Sequence, residues 1–255
     1  MRRLTVERLL KATDVSDLLI HVIPGDRWVA TLTALHHAEA YVQGAALQQN
    51  RIARIDRRLH LDTTRAESQN GATTRRRRSL SRDIPAMARE IHFYLICWNT
   101  VGRNLRLIQE LTQFRAVRQA LRPHYGLFKQ YTDMRDHLEH FDDRLRRRDS
   151  AGGRRRGGAK VMKQPNDFGN SSRNVYSFGG DRLDISQKSL LTLRRVVEQV
   201  VLALKYEAWS TVADSQPQVA ERLVSNVVRN RQIRQLLWRN GPGVRAVGRS
   251  RATLV

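Results

Sequence analysis

Between Ile84 and Ile108 the apolar residues Ile84, Met87, Ile91, Tyr94, Trp98, Val101, Leu105 and Ile108 step 3-4-3-4-3-4-3 without a miss. That period draws one continuous stripe along a long helix, which must bury it against other elements. Pro85, just after Asp83, suits the start of such a helix, where its missing N–H costs nothing. A second stripe runs through Trp28, Leu32, Leu35, Ala38, Val42 and Ala45, breaks at Gln49 and resumes through Ile52 and Ile55 to Leu59. A third comprises Leu190, Leu193, Val197, Val200 and Leu204 behind a Ser186 cap. From about Tyr125 to Arg147 a fourth carries Phe128, Tyr131, Met134, Leu138, Phe141 and Leu145.

Four long amphipathic helices with compatible stripes predict an all-α fold, an antiparallel helical bundle. Peripheral helices are expected over about 5–21 and about 217–239, giving an N-terminal segment 1–24, a bundle 25–212 and a C-terminal helix with a basic tail over 213–255. Two connections stand out. Residues 62–82 are polar and aperiodic and read as a basic loop, and 148–185 holds Gly152-Gly153-Arg154-Arg155-Arg156-Gly157-Gly158. Within the second, Asn174–Phe178, Gly179-Gly180 and Arg182–Ile185 read as a small β-hairpin insertion.

Charge narrows the partner. Lys and Arg number 46 against 24 Asp and Glu, a net +22, and forty of the cations are Arg. A compact fold with that surplus repels itself, and phosphates relieve the repulsion. Guanidinium is a planar fork for phosphate and stacks on bases, which points to nucleic acid. Three arginine runs, Arg75-Arg76-Arg77-Arg78, Arg146-Arg147-Arg148 and Arg154-Arg155-Arg156, are candidate phosphate clamps, with Tyr176 and Phe178 as candidate stacking rings. An acidic protein would satisfy the same charges. Cys97 is the only cysteine, sits in an apolar stretch and reads as a core residue in a reducing cytoplasm. The absence of a long uncharged apolar run or signal-like start leads us to expect neither secretion nor a membrane span.

Chemistry is concentrated in Asp133–Arg144, where two His, five acids and two Arg fall within twelve residues. At 100° per residue Tyr131, Met134, Leu138, Phe141 and Leu145 share a core face, with Arg135 and Glu139 on one flank and Asp136 and His140 further round. Metal ligation has little support, because His140 points away from the apolar stripe and no Glu-x-x-His pair is present; His36-His37 read as one flank residue and one exposed residue, with His92 the other outlying candidate.

Arg135-Asp136-His137-Leu138-Glu139-His140 resembles the motif of the HEPN family, Arg-x4-His with a polar residue after the Arg. The resemblance covers roughly 25–212, and the basic stretches at 62–82 and 148–185 are not part of the family pattern. It implies a metal-independent endoribonuclease of a toxin–antitoxin or defence system, needing no cofactor, whose two motifs meet in a homodimer. RNA is then favoured over DNA, and an antitoxin is the acidic partner. In that reading His140 moves protons between the ribose 2′-OH and the leaving 5′-oxygen, Arg135 holds the scissile phosphate, Asp136 orients the motif and His137 rivals His140; the products carry 2′,3′-cyclic phosphate. Against it stands a plain alternative: Arg135–Glu139 and Asp136–His140 are i,i+4 pairs that stabilise an exposed helix. The protein would then be a noncatalytic, basic nucleic-acid binder.

Overall fold

The computed structural model describes residues 10, 13–67, 73–139, 170–172, 174–178 and 181–240, the side chains of 62–67, 73–80, 137, 170–172, 178 and 230–240 excepted. The protein is mostly helical, with one small antiparallel sheet. In chain order come α1 (Val15–Val22), α2 (Arg27–Glu67), α3 (Thr73–Thr112), α4 (Arg115–Leu121), a 3-10 turn (Arg122–His124) and α5 (Tyr125–Glu139). Strands β1 (Asn170–Ser172), β2 (Val175–Phe178) and β3 (Asp181–Asp184) follow, then α6 (Gln187–Ser215) and α7 (Pro217–Asn240). None of the helices, among the described residues, is long and apolar enough to cross a membrane.

Helices α2 and α3, each about 60 Å long at 1.5 Å per residue, form an antiparallel hairpin whose register can be read from three contacts. Gly44 faces Cys97, so that a Cβ on the glycine would lie 3.2 Å from the sulfur. Seven residues on, Arg51 meets Glu90 at 3.5 Å, and seven further Arg58 meets Asp83 at 3.6 Å. Successive heptads of one helix thus meet successive heptads of the other, the spacing that keeps a two-helix seam closed.

Around the inner half of that hairpin the core is aromatic. Trp98 is fully buried and stacks on Tyr131 at 3.9 Å between centroids, with Phe128 tilted against it at 5.8 Å. Helix α5 runs antiparallel to α3: Phe128 sits against Gly102, Thr132 donates to Asn99 Oδ1 at 2.9 Å, and Glu139 reaches the level of His92. Gly102 is required there, because a Cβ would stand 2.7 Å from Phe128 Cδ1. Helix α6 follows the direction of α3, from the bond between Ser189 and Tyr94 hydroxyls (2.6 Å) to Glu207 beside Arg115. Burial pushes the Tyr94 phenol up to about 12. All five apolar residues expected on the α6 stripe are buried, and Ser186 caps the helix by accepting from Lys188 N at 3.1 Å.

The sheet has the order β1-β2-β3, one strand more than the expected hairpin, with Tyr176 opposite Leu183. Both are buried, and the Tyr131 hydroxyl ties β3 to α5 by donating to the Asp184 carbonyl at 2.5 Å. Helix α1 is capped by Asp14, which accepts from Ser16 N and Oγ; those bonds hold its carboxyl below the usual range.

Several expectations need correction. Most of the stretch 62–82 is helix rather than loop: 62–67 end α2 and 73–82 begin α3, while 68–72 lie outside the described residues. Its polarity reflects the lack of an apolar face, while Arg, Ala, Glu and Leu are themselves good helix formers. Pro85 consequently lies inside α3 rather than at its start, on the exposed side, where the missing N–H removes one helical bond. Ile84 is 55% exposed and leaves the stripe, because the inward position is filled by Asp83 at 1%. Gln49 does not interrupt α2 but is buried within it, and His36 and His37 are both exposed. The first helix is described only as α1 with Leu10 before it, and the fourth only to Glu139; Phe141, Leu145 and the stretch to Arg147 lie outside the described residues.

Candidate nucleic-acid interface

The chemistry-rich helix is α5, and its amphipathic spacing places the polar residues as expected: Phe128, Tyr131 and Met134 face inward, leaving Arg135, Asp136 and Glu139 on the rim. The Arg135 guanidinium, 22% exposed, is held by two carboxylates of its own helix. Its Nε donates to Asp136 Oδ1 at 3.1 Å and lies 3.3 Å from Glu139 Oε2. Among the described residues two carboxylates hold this one guanidinium, so a phosphate would have to displace them to reach Arg135. From α3, His92 brings its buried Nε2 to 3.6 Å from Glu139 Oε1, just beyond hydrogen-bond length. Arg135, Glu139 and His92 therefore form a contiguous polar group spanning two helices. The sequence reading placed His92 only among outlying metal candidates; nothing in its spacing signals the meeting with Glu139. His140 and the side chain of His137, both named as candidate proton carriers, lie outside the described residues.

The arginine runs divide. Arg75, Arg76, Arg77 and Arg78 are carried on the first turns of α3, their side chains outside the described set, whereas Arg146–Arg148 and Arg154–Arg156 lie outside it altogether. Tyr176 is buried, its phenol pushed up to about 12, and so is no stacking platform.

A basic surface belongs to the outer half of the hairpin, and of its arginines with described side chains only Arg82 falls in the stretch expected to be a loop. From 51 to 90 the chain holds eleven Arg and five acids. Two of those acids, Asp83 and Glu90, are buried in the seam. Arg58 and Arg82 both approach Asp83, at 3.6 and 2.9 Å, and Arg51 and Arg89 both approach Glu90, at 3.5 and 3.6 Å. Among the described residues, four guanidiniums meet two carboxylates on a rim whose arginines are 48–69% exposed. Exposed Arg54 and Arg57 add to it. Held on helices, such cations form a rigid array that can follow a phosphate backbone. Arg115, Arg118 and Arg122 were also passed over, although spacings of three and four put them on one helical face.

Comparison of the chain with protein-family models, with curated proteins and with solved structures finds no match in any of the three.

Proposed function

We propose that the protein is a noncatalytic RNA-binding protein that holds phosphate backbone on the arginine-rich outer half of the α2/α3 hairpin, with α2, α3, α5 and α6 as the four long members of an antiparallel bundle beneath it. The observation that carries this reading is the sharing of two buried carboxylates by Arg51, Arg58, Arg82 and Arg89. It fixes the direction of the rim with four guanidiniums to two carboxylates among the described residues, which suits a sequence-blind polyanion contact. RNA is preferred to DNA on the HEPN resemblance of Arg135–His140. Titration of single-stranded RNA, duplex DNA and an acidic polypeptide into the protein tests it: tightest binding to RNA supports the reading, and preference for the polypeptide overturns it in favour of a protein partner.

One observation favours a second reading, an HEPN-like endoribonuclease of a defence or toxin–antitoxin system. His92 and Glu139 bring acid–base groups to Arg135. Incubation with mixed RNA in EDTA decides between the two: cleavage by wild type that is lost in Arg135→Ala and His140→Ala establishes the nuclease, and RNA binding without cleavage excludes it.

A further inference from the structure

At the far end of α3 from the basic rim, the chain turns through Gln113 into α4. Gln113 has φ +56°, a left-handed conformation that glycine or asparagine ordinarily supplies. Such strain persists where the surroundings impose it, and it is often found at binding sites. Here it sets the Gln113 side chain on the rim of an open hollow of about 340 Å³, lined also by Arg115, Arg118, Gln119 and Arg122.

Three features suit this hollow to an oxyanion. Val117 and Leu121 are fully buried, which anchors α4 and turns its arginine face outward. No carboxylate among the described residues pairs with the guanidiniums of Arg115, Arg118 or Arg122, unlike those of Arg51, Arg58 and Arg135. Glu207 of α6, which reaches the start of α4, is already engaged, accepting from Arg115 N at 2.8 Å and Ala116 N at 2.5 Å. Its carboxylate replaces the cap that Phe114 lacks and secures the start of α4. What remains is three forked cations and two amides around one concavity, with no acid in the lining.

We propose that this hollow binds phosphate oxyanions carrying at least two negative charges between them, either a free diphosphate or neighbouring phosphodiesters of a nucleic-acid strand, each with one charge. The guanidiniums offer paired N–H donors to their oxygens, and the Gln113 and Gln119 amides complete the contacts. A volume of about 340 Å³ admits a diphosphate without closing over it. The site does not depend on the basic rim being an RNA surface.

The test is calorimetric titration of pyrophosphate at about 150 mM salt, where charges beyond about 8 Å are screened. The triple change Arg115→Gln, Arg118→Gln and Arg122→Gln is compared with a triple of equal charge, Arg103→Gln, Arg222→Gln and Arg229→Gln. All six positions are exposed, so both variants are expected to fold. A single site weakened about tenfold or more by the first triple, and within about twofold of wild type in the second, is the expected result. Equal loss in both triples, or none in the first, overturns the proposal. Displacement of the pyrophosphate by an RNA oligomer identifies the strand as the source, and displacement by free diphosphates alone identifies a small ligand. Pyrophosphate binding without RNA binding leaves the hollow standing while the RNA reading falls.

Discussion

Cys97 and Glu90 stand seven residues apart in one helix, and each faces α2 across the same seam. Around Cys97 the seam is dry: Gly44 opposite, Tyr94, Trp98 and Val101 fully buried, and α5 and α6 packed outside. Around Glu90 and Asp83 the same heptad positions are carboxylates, and arginines close the seam from solvent. Backbone geometry is common to the two halves; the chemistry that fills it is not. The inner half derives its stability from apolar burial, whereas the outer half spends inward positions on holding cations in place. Buried ion pairs seldom add stability over apolar residues of similar size, so the difference points to a task for the outer half other than folding.

The sharpest break of this contrast is Trp98→Ala. Removing a fully buried ring stacked on Tyr131 should lower unfolding free energy by about 3–5 kcal/mol, read by chemical denaturation. Next comes the chemistry of Cys97. Burial pushes its thiol from 9.0 up to about 11, so the thiolate that alkylating agents need is scarcer at pH 8 by about a hundredfold than for an unperturbed thiol. Raising the pH toward that value should accelerate alkylation, and fast labelling at pH 8 would mean that the inner seam is open. Gly102→Val should cost about 1–3 kcal/mol by forcing α3 and α5 apart at Phe128, and Gly44→Ala less, its new Cβ being 3.2 Å from the Cys97 sulfur. Smallest is Asp83→Leu in the outer half. Restoring the apolar stripe should leave the thermal midpoint within a few degrees of wild type, or raise it. A collapse like that of Trp98→Ala would erase the distinction between the halves.

The inner half was legible in the sequence because its period and its hydrophobicity agree: Ile91, Tyr94, Trp98, Val101, Leu105 and Ile108 are buried as the 3-4 spacing requires. Further out the two signals part. Asp83 occupies the inward position and Ile84 the outward one, so hydrophobicity alone assigned the stripe to the wrong residue. The same conflict made a helical, arginine-rich stretch read as loop, and Pro85 reinforced it by resembling a helix start. On α5 the local i,i+4 pair of Arg135 and Glu139 was readable from spacing. Its meeting with His92, and the hollow formed by the turn at Gln113, depend on contacts between elements that no local pattern encodes.

If RNA is held by the outer arginines rather than by Arg135, as proposed, the salt dependence of RNA affinity reports it. Wild type is compared with Arg54→Gln/Arg57→Gln, at two exposed positions, and with Arg135→Gln, at a partly exposed one. Two lost phosphate contacts should flatten the slope of log affinity against log salt by about 1.4–1.8 in the double variant. Arg135→Gln, whose guanidinium is already held by Asp136 and Glu139, should leave the slope unchanged. An unchanged slope in the double variant together with a flattened one in Arg135→Gln would place the RNA contact at Arg135 instead.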